Sequence, residues 1–321
     1  MTTKLRIQAL FRFFLLSLIV FCWLFCLSYF AYNALRIDLP KNDGEYLFYF
    51  KEEGKDLKYL VSRCLQTARE SIFISSFGIT DKEIGKMLAS TPLPLKIAFD
   101  AKEKNLLPQG DNVSLFPYIK KSGLMHRKVI GIDCELLLLG STNLTPLALK
   151  IHKNLIVCIR SKALYSAILE NKFLQTDSFS YYPLPETGKV ALQTLIQTIA
   201  SAKHRIFICM YTFTHPKIIE ALMDAYARGI DVQVYLDRGM ACGTCKKASA
   251  LLYPLVKTHL GGGLLHHKCA LIDNTFIFGS ANWSKAAFTK NEEYLLFLPT
   301  PPLRTLEQFF SHLEKTSTSQ K

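Results

Sequence analysis

The feature that most constrains the fold is an internal duplication. Four segments of the first half recur in the same order in the second: ESIFISSF at 70–77 and HRIFICMY at 204–211, KIAFD at 96–100 and QVYLD at 233–237, LMHRKVIGID at 124–133 and LLHHKCALID at 264–273, GSTN at 140–143 and GSAN at 279–282. The offsets lie between 134 and 140 residues. A unit of that length is too long for a solenoid repeat. The sequence therefore predicts two similar lobes.

Each unit alternates helix-like and strand-like segments in the same order. Amphipathic helices precede apolar strands, and a pair of strands follows near the middle of each unit. This alternation predicts an α/β fold in which each lobe has a mixed sheet with helices on both faces. We expect the lobes at 45–175 and 189–315, with a linker at 176–188, where turn residues and two prolines lie, and a polar tail at 316–321.

An uncharged apolar segment precedes the lobes. Residues 13–35 lie between Arg12 and Arg36 and carry no charge. About 20 apolar residues suffice for a transmembrane helix. Three basic residues precede the segment, which predicts that residues 1–12 are cytoplasmic and that the body lies on the far side of the membrane. A cleaved signal peptide, which would release a secreted body, is the alternative, although the C-terminal end of the apolar segment lacks an A-x-A-like cleavage site.

The charge of the chain favours anionic partners. The chain has 321 residues and a formal net charge of +13. Residues 1–36 hold four basic residues and no acid, which leaves 35 basic and 26 acidic residues in the remainder. A body this basic is suited to nucleic acid, anionic lipid surfaces or phosphate esters. The charge alone leaves all three open, and no pattern in the sequence indicates an obligate protein partner.

The cysteines do not resemble a disulfide framework. The chain has nine, an odd number, and they are scattered. Cys242-x-x-Cys245 leaves three interpretations open: a redox pair, half of a zinc site, or a free or bridged surface pair. Because no second Cys or His pair at zinc-finger spacing lies nearby, we predict no metal and no cofactor.

Each unit carries the spacing His-x-Lys-x4-Asp followed by Gly-Ser-x-Asn. The predicted catalytic residues are His126, Lys128, Asp133, His266, Lys268 and Asp273. The predicted substrate-binding residues are Ser141, Asn143, Ser280 and Asn282. Finding the same spacing twice, at equivalent places of a duplicated chain, indicates a single composite site.

The chemistry of these residue types suits a phosphodiester. Residues i and i+2 of a strand point to the same face, so each His–Lys pair projects together. If the lobes pack about a pseudo-twofold axis, both pairs meet in one pocket. Lysines and asparagine amides can then stabilise developing negative charge on a phosphate, and serine hydroxyls can add hydrogen bonds. One histidine can attack phosphorus while the other protonates the leaving oxygen, without a metal ion.

This arrangement resembles the phospholipase D superfamily, which has duplicated HKD motifs. The resemblance covers nearly all of residues 45–315. It implies a two-lobed α/β fold, a phosphohistidine intermediate and metal independence. It also implies that the histidine of the first motif, His126, is the nucleophile and His266 the general acid, and that Asp133 and Asp273 have supporting roles.

The resemblance also implies an acidic residue after each motif that orients a catalytic histidine. Glu293 matches this position in the second unit. The first unit has Asn154 there, within His152-Lys153-Asn154, and no carboxylate. Because partners can cross between the units, the sequence leaves open which histidine lacks a carboxylate.

The sequence supports a membrane-anchored phospholipase D that hydrolyses phospholipid head groups or transfers the phosphatidyl group to an alcohol. The short stretch 36–44 would hold the body near the bilayer, which raises the effective concentration of lipid substrate. A nuclease of the same superfamily and a catalytically inactive binding scaffold are the alternatives. A nuclease would use the same site on a nucleic acid partner.

Overall fold

The structure is a computed structural model that describes residues 3–119 and 122–319. The N-terminal unit, 1–38, contains the helix α1 (Thr3–Leu35). Its segment Phe11–Phe30 has a mean hydropathy of 2.4, and none of it is buried. This helix is therefore long enough and apolar enough to cross a membrane, as the sequence predicts. The first two residues of the predicted cytoplasmic terminus lie outside the described residues.

The remainder of the chain, from Leu39 onward, contains two mixed sheets, which confirms the predicted fold class. Among the described residues, the first sheet has seven strands in the order β1-β7-β6-β5-β2-β3-β4. Strands β2, β3 and β4 are parallel, and the other pairs are antiparallel. The bounds are β1 Tyr46–Phe50, β2 Ile72–Ser76, β3 Leu95–Asp100, β4 Val113–Tyr118, β5 Lys128–Ile132, β6 Leu136–Gly140 and β7 Leu155–Arg160.

The second sheet repeats this order from β10 to β15 and adds strands at both edges. Its order among the described residues is β16-β12-β11-β10-β13-β14-β15-β9-β8. The bounds are β8 Leu174–Gln175, β9 Ser180–Leu184, β10 Arg205–Met210, β11 Asp231–Asp237, β12 Val256–His259, β13 Lys268–Ile272, β14 Thr275–Gly279, β15 Glu293–Leu298 and β16 Ser317–Ser319.

Short helices connect the strands and cover the sheets. Polar N-caps set several of their starts: Asp81 accepts hydrogen bonds from two backbone N–H groups, and Ser161 accepts one. The helices are α2 Leu57–Thr67, α3 Lys82–Ser90, α4 Pro146–Lys150, α5 Lys162–Glu170, α6 Gly188–Ala200, α7 Pro216–Ala227, α8 Arg238–Cys242, α9 Lys246–Leu251, α10 Lys285–Thr289 and α11 Leu303–Lys315, with a 3-10 turn at Lys51–Glu53.

The two sheets share a hydrophobic core. Leu139 and Val157 of the first sheet belong to the same buried cluster as Phe278 and Leu296 of the second. The hydroxyl of Tyr294 also donates to the carbonyl oxygens of the first sheet at 128 and 140. Apolar burial between the sheets is the main source of stability for such a contact. This shared core fixes the position of each motif relative to the other.

The predicted linker at 176–188 contains the strand β9. Strand β9 pairs antiparallel with β15 over its whole length. Tyr181 and Leu184 are buried, whereas the turn residues around them had suggested a linker. Pro183 is tolerated because β8 pairs only with residues 180 and 181, which leaves that part of β9 at the sheet edge. The predicted polar tail likewise contains β16, which pairs with β12, and residues 320–321 lie outside the described residues.

Candidate active site

The first motif histidine is held by a carboxylate from the second lobe. His126 lies two residues before the start of β5, and its Nδ1 lies 2.8 and 2.9 Å from the two carboxylate oxygens of Glu293. Glu293 is fully buried at the start of β15. The His126 backbone N–H also donates to the carbonyl oxygen of Glu292, at 2.9 Å. The carboxylate therefore selects the tautomer that has its proton on Nδ1 and leaves the Nε2 lone pair free.

The second motif histidine is held by an amide from the first lobe. Nδ1 of His266 lies 3.0 Å from Oδ1 of Asn154. The Asn154 amide is itself fixed, because Nδ2 donates to the carbonyl oxygen of Ala148 and Oδ1 accepts from the Ser141 hydroxyl. His266 therefore also has its proton on Nδ1. The partners cross between lobes in both cases, so the histidine that lacks a carboxylate is His266.

Two equivalent isolated β-bridges position the partners that cross between the lobes. One parallel bridge joins Met125 to Glu292, and the other joins Leu265 to Lys153. Each bridge places the residue before a motif histidine beside the residue before that histidine's partner. The two bridges follow the pseudo-twofold relation that the duplication predicts, and they bring the two motifs close together.

Two buried lysines lie beside the histidines. Lys128 Nζ donates to the carbonyl oxygen of His126 at 2.7 Å, and Lys268 Nζ donates to that of His266 at 2.9 Å. Lys268 Nζ also lies 3.3 Å from Nε2 of His266. Burial lowers the pKa of Lys128 to about 7, against a smaller opposing effect of Glu293. Burial, and then the positive charge of Lys128, hold the pKa of Lys268 well below its usual range.

Electrostatic effects between the two motifs indicate that they lie close together. Burial lowers the pKa of His126, Glu293 opposes that shift, and both lysines contribute to it. Burial holds the pKa of His266 well below its usual value, with Lys268 and Lys128 as the next causes. Each histidine is thus influenced by the lysine of the other lobe. Cations packed this closely disfavour one another, and an anion placed among them would relieve that repulsion.

Two aromatic residues that the sequence analysis did not assign border the pocket. The Phe77 ring centroid lies 5.4 Å from that of His126, and Lys128 Nζ lies 5.7 Å from the Phe77 centroid. Tyr211 occupies the equivalent place, 4.7 Å from His266 and 5.3 Å from Lys268 Nζ. These residues end the matched segments 70–77 and 204–211, so the repeat itself was a signal that could have identified them.

The predicted catalytic aspartates do not lie beside the histidines. Asp133 follows the far end of β5, and five residues of strand span about 16 Å. Its carboxylate accepts hydrogen bonds from the backbone N–H groups of Arg69, Glu70 and Ser71. Asp273 does the same for the N–H groups of residues 203–205. Although partial burial opposes it, these bonds lower the pKa of both carboxyl groups. Each carboxylate therefore connects a hairpin turn to the backbone at the start of the neighbouring strand.

The motif serines hold the neighbouring strands. The backbone N–H of Leu155 donates to the Ser141 hydroxyl, and that of Tyr294 donates to the Ser280 hydroxyl, both at 3.1 Å. The motif glycines permit this close approach, because a Cβ on Gly140 would lie 2.1 Å from the carbonyl oxygen of Leu155. The serine hydroxyls thus already have partners within the chain. They position the residues that contact the histidines.

The motif asparagines are half-buried at the starts of the loops after β6 and β14. Oδ1 of Asn282 accepts a hydrogen bond from the backbone N–H of Thr212 at 3.3 Å. Oδ1 of Asn143 is buried and has no hydrogen-bond partner among the described residues.

Asp100 and Asp237 are positioning residues that the sequence analysis noted only as strand ends. Asp100 accepts a hydrogen bond from the backbone N–H of Met125, and Asp237 accepts one from that of Leu265. Each aspartate therefore fixes the residue that precedes a motif histidine. The repeat also contained this signal, in KIAFD and QVYLD.

The other residues that the sequence analysis weighed have these positions. His152 is half-buried, and its ring centroid lies 6.4 Å from that of His266. Cys242 is exposed and Cys245 buried, and both are free thiols. Within residues 3–119 and 122–319, no group of three or more His, Cys, Asp or Glu side chains has a metal-binding arrangement.

Comparisons with known proteins agree with this fold. A family model described as cardiolipin synthase, PLD-like domain, matches residues 195–315. Mitochondrial cardiolipin hydrolase of Xenopus laevis is 31% identical over 121 residues, 36% of this chain and 55% of that protein. Phospholipase D of Rickettsia typhi is 25% identical over 183 residues, 50% of this chain and 88% of that protein. The chain thus spans about half the length of the first of these relatives.

A solved structure extends the likeness to both lobes. The crystal structure of phosphatidylserine synthase from Haemophilus influenzae has a TM-score of 0.68 at 13% identity and covers 90% of each chain. At that identity the likeness concerns the fold alone. Together with the paired motifs, these findings confirm the resemblance to the phospholipase D superfamily.

Proposed function

We propose that this protein is a phosphodiesterase that cleaves phospholipid head groups through a phosphohistidine on His126. The observation that carries this proposal is the proximity of two buried His–Lys pairs, one from each lobe, in which each histidine is influenced by the lysine of the other lobe. Two lysines there favour an anion and disfavour a divalent cation. The proposal therefore includes catalysis without a metal ion.

The first step forms the covalent intermediate. The Nε2 lone pair of His126 is free because the Nδ1 proton is hydrogen-bonded to Glu293. Nε2 attacks phosphorus, and the P–O bond to the leaving group breaks. His266 donates a proton from Nε2 to the leaving oxygen. Lys128 and Lys268 stabilise the charge on the non-bridging oxygens. The carboxylate of Glu293 stabilises the positive charge that the phosphorylated imidazole carries.

The second step releases the product. His266, now neutral at Nε2, accepts a proton from water as the water oxygen attacks phosphorus. The P–N bond breaks, and its electron pair returns to His126. An alcohol in place of water would give transfer of the phosphatidyl group instead of hydrolysis.

Substrate binding prepares His266 for its role as an acid. Without an anion, Lys268 donates toward His266 Nε2, and the imidazole is held neutral by burial and by the lysines. A phosphate would accept the lysine hydrogen bonds and raise the pKa of His266. The phosphate therefore promotes the protonation that the leaving group requires.

Lipid is the preferred substrate class for two reasons. Several relatives of the chain are called mitochondrial cardiolipin hydrolases, and the chain has an apolar helix that fits a membrane anchor. The proposed place of action is therefore a membrane. Whether the body lies on the far side of that membrane remains a prediction.

The test is an activity assay with the full chain in nanodiscs, in the presence of EDTA. Cardiolipin, phosphatidylcholine, and labelled single- and double-stranded oligonucleotides are offered in parallel. We expect release of phosphatidic acid from lipid and no cleavage of the oligonucleotides. Cleavage of oligonucleotides alone would support the nuclease alternative, and no activity from folded protein would support the inactive scaffold.

A further inference from the structure

The first lobe contains a cavity of about 520 Å³ that the proposed catalysis does not use. Arg127 lines it, whereas His126 and Lys128 face the catalytic pocket. Since side chains alternate along this segment, the cavity lies on the other side of the β5 backbone. Its apolar wall includes Phe73, Ala98, Phe116 and Ile168.

The equivalent space in the second lobe is filled. Tyr235 occupies the place of Ala98, since each pairs with the equivalent residue of the neighbouring strand. Phe310 of α11 packs on Tyr235 and Phe207, at ring-centroid distances of 6.3 and 5.7 Å. Helix α11 has 13 residues, whereas α5 at the same place in the first lobe has nine. The cavity therefore results from a small residue and a short helix.

Two cationic side chains and one carboxylate line the polar side of the cavity. Arg127 is more than nine-tenths buried and has five N–H donors. One of its nitrogens donates at 2.9 Å to Glu292, whose carboxylate also lines the cavity. Lys96, which is exposed, adds a second cation at the rim.

We propose that this cavity binds a single-chain amphiphile with an anionic head group. The head group would lie against Arg127 and Lys96, and the chain would cover Phe73, Phe116 and Ile168. If a methylene occupies about the volume of a water molecule, roughly 30 Å³, the cavity holds one acyl chain and not two. This binding involves no covalent step and does not depend on the proposed catalytic function.

The test measures binding to the full chain in amphipol, without detergent, by titration calorimetry. Tungstate is present throughout so that the catalytic pocket is occupied. Dodecyl phosphate and laurate are compared with the neutral dodecyl maltoside, and the first two distinguish a phosphate from a carboxylate head group. We expect the better anion to bind at least tenfold more tightly than the neutral amphiphile.

Ala98→Tyr fills the cavity as Tyr235 does in the second lobe, and Ala98→Ser is the matched control. We expect at least a tenfold loss of affinity for Ala98→Tyr and no loss for Ala98→Ser. Equal binding by Ala98→Tyr, or equal binding of the neutral amphiphile, would overturn the proposal. Should Ala98→Tyr not fold, a photoreactive laurate analogue on the unaltered chain decides: labelling within 113–119 or 162–173 supports the site, and labelling elsewhere refutes it.

Discussion

The two halves of the candidate active site have the same backbone but different partners for their histidines. Glu293 gives His126 a buried negative charge, whereas Asn154 gives His266 only a hydrogen-bond acceptor. A carboxylate stabilises a positively charged imidazole, and an amide does so far less. The duplication thus gives two equivalent backbone frameworks that differ in one partner residue. Glu293 suits His126 to carry a phosphoryl group, and Asn154 suits His266 to release a proton.

The largest expected effect tests this division directly. His126→Asn should lower turnover by about 10⁴-fold or more and abolish the covalent intermediate, because the nucleophile is lost. His266→Asn should lower it by about 10²- to 10⁴-fold for natural substrates, because the general acid is lost. With a nitrophenyl phosphodiester, which needs no acid, the His266→Asn protein should still form the intermediate. Intact-protein mass spectrometry at alkaline pH detects it, and a phosphoryl adduct on the His126→Asn protein would reverse the assignment.

The next effect concerns the carboxylate that crosses between the lobes. Glu293→Gln should lower kcat by about 10²-fold, because the phosphorylated imidazole loses its buried counter-charge. Glu292→Gln is the matched control, since that neighbouring carboxylate pairs with Arg127. Steady-state kinetics of both variants compare the two positions. Equal losses would show that the charge facing His126 has no special role.

A smaller effect on rate, with a larger effect on stability, is expected for the hairpin aspartates. Asp133→Asn keeps a residue that tolerates the positive φ of 52° but weakens three charge-assisted hydrogen bonds. The free energy of unfolding should fall by about 1–3 kcal/mol, while kcat changes by less than about threefold. Denaturant titration and kinetics measure these quantities, with Asp273→Asn as the second case. A 10²-fold loss of kcat in folded Asp133→Asn protein would instead indicate a catalytic role for Asp133.

The contribution of Asp133 and Asp273 to folding stability should be lost at acidic pH. Their pKa values are lowered in the folded protein, so their contribution to stability is complete above the usual carboxyl pKa of about 3.9. It is lost as the pH falls through the lowered folded value. Asp133→Asn should therefore differ from the unaltered protein in stability at neutral pH and converge with it at strongly acidic pH.

The smallest signal is proton uptake when an anion binds. Lys128 has a pKa of about 7 in the pocket, so it is mostly neutral at pH 8. Binding of tungstate should restore its charge, with uptake approaching one proton from this residue and a further share from Lys268. Calorimetry in buffers of different ionisation enthalpy measures the uptake, and Lys128→Met should reduce it by about one proton. Release of protons at pH 8 would contradict the assignment of the lysines to the anion site.

Much of the fold could be predicted from the sequence because its signals are local and occur twice. The matched segments gave the two mixed sheets, and the apolar periodicity gave most strands and helices. Strands β4, β8, β9, β12 and β16 were not predicted, and the sequences of β9 and β16 are rich in turn or polar residues. Their pairing partners, β15 and β12, are distant in the chain, and such pairing leaves no local signal.

By itself, the sequence determined the fold class, the superfamily and the His–Lys pairs, because the duplication and the spacing of the motifs are written along the chain. Only the tertiary structure decided which histidine has the carboxylate, because Glu293 reaches His126 across the pseudo-twofold axis between lobes. The structure also shows that the carboxylates of Asp133 and Asp273 lie at the hairpin turns and not beside the histidines, because five residues of extended strand separate the two ends of each motif. Proximity between distant segments depends on how the shared core packs the sheets, and spacing along the chain does not encode it.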